Sequence, residues 1–258
     1  MTASVPPRVD APDVSIVMPC YNEQAIVAFT VTKLCDAFQR AGHRFELVAV
    51  DNGSTDRTAS VLRDLSERFP AVVTTRVEVN QGYGHGVLHG LPLCRAPWVG
   101  IIPADGQVDA EDVVRLYEAA VSSDPPVLAK VRRRFRMDGL WRKIVSTTYN
   151  VFVRMLWPGI QSVDMNGSPK LMPRALVPML RLQSKGWLLD LEIMIKAHYL
   201  GVRVLELNVF ARMRNSGTSH VRASTCWEFL RHLLKFRFSR RWREDFQSRP
   251  VEAQRTTS

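Results

Sequence analysis

Trp98-Val99-Gly100-Ile101-Ile102-Pro103-Ala104-Asp105-Gly106-Gln107 is an apolar run that breaks at a Pro/Gly turn carrying one acid and one amide. A continuous apolar run bounded in this way predicts a buried strand. In open parallel sheets, ligands collect outside the carboxyl ends of such strands. Asp105 therefore stands where a hard cation and a phosphate would meet. Mg²⁺ and Mn²⁺ take one or two carboxylates plus phosphate oxygens rather than an all-protein cage. The plain alternative for Asp105 is an Asx turn into a helix beginning near Asp109.

Working outward, the same alternation repeats. Val14–Met18 is a short apolar strand stopped by Pro19, and Glu23–Ala41 carries Ile26, Val27, Thr30, Leu34 and Phe38 at helical spacing. Phe45–Val50 predicts a second strand, ending at Asp51-Asn-Gly-Ser-Thr-Asp56, followed by a helix to about Phe69. Val72–Val79 reads as a third strand, then a glycine-rich turn at Asn80–Gly86, a short helix to Cys94, the Trp98 strand and a helix over Glu111–Val121. Strand and helix alternating at this interval predict βαβ units: an α/β fold, a mostly parallel sheet with helices on both faces. Val127–Val131 predicts one more strand, after which the basic run Arg132–Arg136 opens a different region. Apolar residues from Trp141 to Leu156 recur at helical spacing, with Arg142, Lys143 and Arg154 off that stripe. Asp164–Pro173 reads as a turn-rich loop, with helices over Pro173–Leu182 and Leu188–Leu200 and a late strand over Val202–Val209. From Thr225, aromatic and aliphatic residues among Arg and Lys predict a basic amphipathic C-terminal helix.

The 258 residues bury a core easily, and 46% hydrophobic with 23% charged residues is an ordinary globular balance. A formal net charge of +10 asks for an anionic partner: phosphorylated substrate, anionic membrane surface or nucleic acid. No nucleic-acid motif supports the last. The four cysteines form no C-x-x-C pair, which favours reduced thiols in a cytoplasmic setting. Residues 1–13 are polar with three prolines and no apolar signal core, so a flexible N-terminus is expected. No stretch approaches the roughly 18 apolar residues of a spanning helix.

Three strand ends carry polar groups: Tyr21-Asn22-Glu23, Asp51-Asn52, and Asn80 with Gly82, Gly84 and Gly86. A nucleotide needs such a set, with acids or amides for base and ribose and glycine for close backbone approach. The glycine turn is not the dinucleotide G-x-G-x-x-G pattern, and no P-loop is present. His85 and His89, four apart, could share a metal, but a helical His pair without a following Glu is more often structural.

Val14–Glu23, Val48–Thr58, Asn80–Gly90 and Pro103–Asp109, in this order and spacing, resemble the family-2 glycosyltransferases of GT-A fold. Within them the chain is similar to the polyprenyl-phosphate (dolichol-phosphate mannose) sugar synthases. Their usual V-x-D-D-G-S-x-D-x-T appears as Val48-Ala-Val-Asp-Asn-Gly-Ser-Thr-Asp-Arg-Thr58. Asp164–Lys170, Gly186–Glu192 and Arg214–Ser219 match their second half, so the resemblance covers roughly residues 14 to 220.

The resemblance implies an inverting transferase that moves a sugar from a nucleotide-sugar to a polyprenyl phosphate at the cytoplasmic, inner face of a membrane. Pro19, Tyr21, Glu23 and Asp51 would hold base and ribose. Asp105 and Gln107 would hold Mg²⁺ or Mn²⁺ and the diphosphate, and Arg214 would help bind phosphate. Pro103 replaces the first acid of the usual Asp-x-Asp. For the acceptor phosphate the candidates are Arg142, Lys143 and Arg154, since Arg and Lys suit phosphate oxygens; a solvated helix face is their plain alternative. Asp190, with Glu192, is a candidate carboxylate near the acceptor, against simple stabilisation of a helix N-terminus. Asp105, Asp190 and Arg142 are thus the expected catalytic residues. The domain organisation expected is a GT-A domain over 14–222 and a basic extension over 223–258. Two alternatives stay open: the same donor chemistry on a soluble or envelope-pathway acceptor, and a non-catalytic basic membrane-binding protein with a degenerate nucleotide pocket.

Overall fold

The computed structural model describes residues 9–135, 140–160, 162, 164–210, 233–234 and 236–238, with the side chains of 133–147 and 210 outside the description. The chain divides into two compact units, Met1–Gly217 and Thr218–Ser258. Of the second, Leu233–Leu234 and Phe236–Phe238 are helical; the rest of the expected C-terminal helix lies outside the described residues.

The first unit runs β1 (Val14–Cys20), α1 (Val27–Arg40), β2 (Phe45–Asn52), α2 (Thr58–Arg68), β3 (Val72–Val77), α3 (Tyr83–Gly90), β4 (Trp98–Ile101), α4 (Ala110–Val121), β5 (Leu128–Phe135), α5 (Leu140–Leu156), β6 (Lys170–Pro173), α6 (Leu176–Leu180), α7 (Leu188–Tyr199) and β7 (Val204–Phe210). The strands lie in the order β3-β2-β1-β4-β6-β5-β7. β6 pairs antiparallel with β4 and β5, and every other pairing is parallel.

Side chains alternate across a strand, so each strand feeds two cores. From β1, Val14, Ile16, Met18 and Cys20 pack with Val31, Leu34 and Phe38 of α1 and Val113, Leu116 and Tyr117 of α4. Val17 points to the opposite face, among Val48, Val50, Val77 and Val99. There α3 approaches closely: a Cβ on Gly90 would lie 2.6 Å from Val17, and one on Gly86 would lie 2.9 Å from Pro19. Those two glycines, one helical turn apart, let α3 lie against β1 and β2. Cys35 and Cys94 are core residues, and burial pushes their thiols up to about 12.

The expected strands and helices are present, with informative shifts. β2 runs on to Asn52, and α1 starts at Val27 rather than Glu23, because residues 22–24 are tied to the β2–α2 loop. β5 continues to Phe135, so Arg132 and Arg133 of the basic run lie in a strand. The expected loop Asp164–Pro173 closes with β6, a four-residue strand whose buried Lys170 hides it from any apolar pattern.

Candidate active site

The chain goes β1-β2-β3 in one direction across the sheet and returns to place β4 on the other side of β1. That reversal opens a crevice at the carboxyl ends of β1 and β4, the place where open α/β sheets bind ligands. Three loops meet there.

The loop after β1 is built jointly with the loop after β2. Ser54 Oγ accepts from Asn22 N (3.1 Å), Thr58 Oγ1 from Glu23 N (2.9 Å), and Asp56 Oδ2 from Gln24 N (3.2 Å). Asn22 Oδ1 accepts from Thr55 N in return, at 2.9 Å. Ser54, Asp56 and Thr58 of the quoted motif thus staple the loop that carries Tyr21 and Glu23. Burial works against the Asp56 carboxylate, but hydrogen bonds from Thr58 and Gln24 hold it below the usual range.

Asp51 is 3% exposed, and its Oδ1 accepts from Ser54 N at 3.0 Å. Its Oδ2 has no hydrogen-bond partner among the described residues, although Arg76 approaches it at 3.4 Å. The parallel register of β2 on β3 sets Asp51 beside Arg76. Asn52 donates to Gly82 O at 3.0 Å, and its Oδ1 is buried without a partner among the described residues. Pro19 is buried beneath, and Tyr21 is 47% exposed at the rim. Asp51, with Arg76 beside it, lies on one face of β2, whereas Asn52, the next residue, points to the other face, against Gly82 and Gly86 of α3.

Asp105 is half-buried, and its Oδ1 accepts from Gln107 N at 3.2 Å, so the Asx turn forms too. Thr30 of α1 holds this loop by donating to Ala104 O at 3.1 Å. A cavity of about 360 Å³ lies between the loop and α1, lined by Phe29, Thr30, Lys33, Asp105, Gln107 and Asp109 among others. No cluster of three or more His, Cys, Asp or Glu that could hold a metal occurs among the described residues. A single half-buried carboxylate does fit a hard cation whose remaining ligands are phosphate oxygens and water.

Beyond β4 lies a buried polar group around Asp190, on the first turn of α7. Asp190 is 6% exposed and ion-paired with Lys170, itself fully buried, which also donates to Gly167 O at 2.9 Å. Lys130 of β5 reaches Ser162 Oγ at 3.1 Å, Glu206 at 3.0 Å and the Asp164 carbonyl, pinning the other end of the same loop. Burial, then the Asp190 charge, pushes the Tyr149 phenol up, so it stays protonated beside this carboxylate. Glu192, two residues on, faces elsewhere: it accepts from Gln183 N and Ser184 N and pairs with Lys196 at 2.5 Å. It anchors the loop before α7, which lies over α3: His85 N donates to Lys185 O at 2.8 Å, and Trp187 stacks on Tyr83 with ring centroids 5.0 Å apart.

The structure therefore brings Pro19, Tyr21, Glu23, Asp51, Asp105 and Gln107 to one edge of the sheet, with Asp190 beside them. Arg154 is exposed on α5, on the solvent side with Val151 and Met155. Arg142 and Lys143 lie on α5 with side chains outside the description, and Arg214 lies outside the described residues. Four residues of this edge were not singled out from sequence: Arg76, Tyr83, Lys170 and Lys130. Lys170 and Tyr83 sit inside motifs already quoted; Arg76 and Lys130 carry no local signal at all.

The family model described as "Glycosyl transferase family 2" matches residues 15–178. The dolichol-phosphate mannosyltransferase of Pyrococcus furiosus is 26% identical over 226 residues, 86% of this chain and 63% of that protein. The undecaprenyl-phosphate 4-deoxy-4-formamido-L-arabinose transferase of Pectobacterium atrosepticum is 29% identical over 212 residues, 81% of this chain and 63% of that one. The chain thus spans under two thirds of these relatives' length. Among solved structures, glucosyl-3-phosphoglycerate synthase from Mycobacterium tuberculosis, crystallised with Mn²⁺, UDP and glucosyl-3-phosphoglycerate, superposes with a TM-score of 0.68. That match has 18% identity and covers 88% of this chain and 80% of that one; it places the fold among the GT-A structures.

Proposed function

This chain belongs to glycosyl transferase family 2, and from that premise we propose that it transfers a sugar, with inversion, from a nucleotide-sugar to a polyprenyl phosphate at a membrane surface. Pro19, Tyr21, Glu23 and Asp51, joined by Arg76, hold the base and ribose; Asp105, Gln107 and Arg214 hold the diphosphate. Asp105 and Gln107 would also carry Mg²⁺ or Mn²⁺, which when bound neutralises charge on the leaving diphosphate. The GT-A domain spans 14–222, and the 223–258 extension, with α5, lies on the inner, cytoplasmic face of an anionic membrane. Among the described residues no helix is long and apolar enough to cross a membrane.

The observation that carries the acceptor class is the Asp190–Lys170 pair. A hydroxyl acceptor must lose a proton as it attacks, so it needs a positioned base contributing about 10²–10⁴-fold. If Asp190 took that proton, Lys170 would be left a buried ammonium without its counter-charge. A phosphate monoester with a second pKa near 6 is already an anion at neutral pH and needs placement rather than deprotonation. The pairing supports that acceptor, as do the names of the two relatives. Arg142, Lys143 and Arg154 then serve to hold the phosphate.

The test is steady-state kinetics of Asp190→Asn, Arg142→Ala and Arg154→Ala, after a mass-spectrometric donor screen with and without undecaprenyl phosphate. The expected pattern is a modest kcat loss in Asp190→Asn and a sharply raised acceptor KM in the Arg variants. Collapse of kcat in Asp190→Asn with unaltered Arg variants would reassign the acceptor to a hydroxyl.

A further inference from the structure

Thr30 lies in the first turn of α1 and is 6% exposed. Its Oγ1 donates to Ala104 O at 3.1 Å and lies 3.2 Å from Ile26 O, so one hydroxyl proton is shared between two carbonyls. Ala104, 3% exposed, is the residue before Asp105. On the other side of Asp105, a Cβ on Gly106 (φ +64°) would lie 3.2 Å from the same Oγ1. Both residues flanking Asp105 thus meet Thr30. Ile26, in turn, is tied to the loop after β1: the N–H groups of Ile26 and Val27 donate to Glu23 O at 3.0 and 2.9 Å. A continuous path of hydrogen bonds therefore runs from Glu23 through Ile26 and Thr30 to Ala104.

The two ends of that path were assigned above to different parts of one donor molecule: Glu23 to base and ribose, Asp105 to the cation and the diphosphate. The loop that carries Asp105 borders a cavity of about 360 Å³ on its α1 side, so it has room to shift once the bond to Ala104 is lost. Asp105 is the one carboxylate assigned to the cation, and no second acid compensates when it moves. We propose that Thr30 is a positioning residue. Its hydroxyl fixes Asp105 at the distance from the nucleoside pocket that one donor spans, and so couples cation binding to nucleotide binding. Such coupling is reciprocal, so the affinity that the cation adds to the nucleotide measures it. The inference rests on the donor and metal reading given above and adds to it the residue that joins its two halves.

The experiment is isothermal titration calorimetry of the full chain and of Thr30→Val, Thr30→Ser and Asp105→Asn with UDP, GDP and dTDP, each in Mg²⁺ and in EDTA. Valine keeps the shape of threonine and loses the hydroxyl; serine keeps the hydroxyl. For whichever diphosphate the wild type binds, Mg²⁺ should tighten binding, and Asp105→Asn should abolish that gain. Thr30→Val should cut the gain about threefold or more, the worth of one hydrogen bond taken from the competent loop population, while its Kd in EDTA stays within about twofold of wild type. Thr30→Ser should restore the gain. With Asp105→Asn behaving as expected, an undiminished gain in Thr30→Val overturns this proposal and leaves the metal reading standing. So does an equal loss in EDTA, or a Thr30→Ser variant no better than valine. A wild-type chain that gains nothing from Mg²⁺, or an Asp105→Asn variant that keeps the gain, overturns the metal reading and this inference with it. A wild-type chain that binds none of the three diphosphates overturns the donor reading itself, and again this inference with it.

Discussion

Lys170→Met is the sharpest perturbation the structure offers. Lys170 is fully buried on β6, pairs with Asp190 and donates to Gly167 O at 2.9 Å. Methionine matches the lysine stem in length but removes the charge, leaving Asp190, 6% exposed, as a buried carboxylate without its counter-ion. Breaking a buried pair by deleting one partner costs about 3–5 kcal/mol, whereas replacing both partners with apolar residues is often neutral. For a unit of this size each kcal/mol moves the melting temperature by about 2–4 °C, so the single variant should melt about 6–20 °C lower. Asp190→Leu should lose a comparable amount by stranding the ammonium. The double variant Lys170→Met/Asp190→Leu should recover most of it, with a coupling of about 2 kcal/mol or more in a urea-denaturation cycle read by circular dichroism. Recovered stability without recovered transfer would separate the pair's structural role from its place at the acceptor. Either single variant within about 1 kcal/mol of wild type, or strictly additive losses, would refute the reasoning.

Asp105→Asn should abolish turnover in a folded protein, with EDTA mimicking it; full activity in either case removes the metal from this site. The full chain should bind vesicles containing anionic lipid at low salt and release them as salt rises, with binding reduced by deleting residues 223–258; a chain that ignores such vesicles at low salt leaves α5 and the tail as packing surfaces. Asp56 is held below the usual carboxylate range by Thr58 and Gln24, net of burial. Its contribution to stability should therefore be present above the unfolded carboxylate pKa of about 3.9 and fade as pH falls through the lower folded value. Asp56→Asn should accordingly destabilise at neutral pH and flatten the acid limb of a melting-temperature profile; an unaltered acid limb would count against the staple.

What was legible in the sequence follows from the range of the forces involved. The strands β1, β2 and β4 announce themselves because a parallel strand covered on both faces is apolar at nearly every position, as Val14–Met18 and Trp98–Ile102 are. The loops that follow them carry polar residues at fixed offsets, so Tyr21, Asp51 and Asp105 could be placed at one sheet edge before any coordinates. β6 could not be found this way. Its four residues begin with a lysine, and that lysine is tolerated in the core only because Asp190, twenty residues later, lies against it. Lys130 is hidden for the same reason, with its partners at Ser162, Asp164 and Glu206. Arg76 reaches Asp51 only through strand register, which no local pattern encodes.

Tyr83 is the instructive intermediate. The glycines around it were readable as a close-approach turn, and they are: a Cβ on Gly84 would lie 2.2 Å from Ser184 O, and one on Gly82 would lie 2.6 Å from Lys185 O. What the glycines accomplish could not be read, because the loop they admit comes from a hundred residues downstream. Glu192 and Lys196 hold residues 181–184, that loop lies on the glycine turn, and Trp187 at its end clamps the Tyr83 ring. The second half of the chain thereby shapes the site whose polar residues the first half supplies. A local motif can name the groups that touch a nucleotide, but which downstream loop closes over them is a property of the assembled sheet edge.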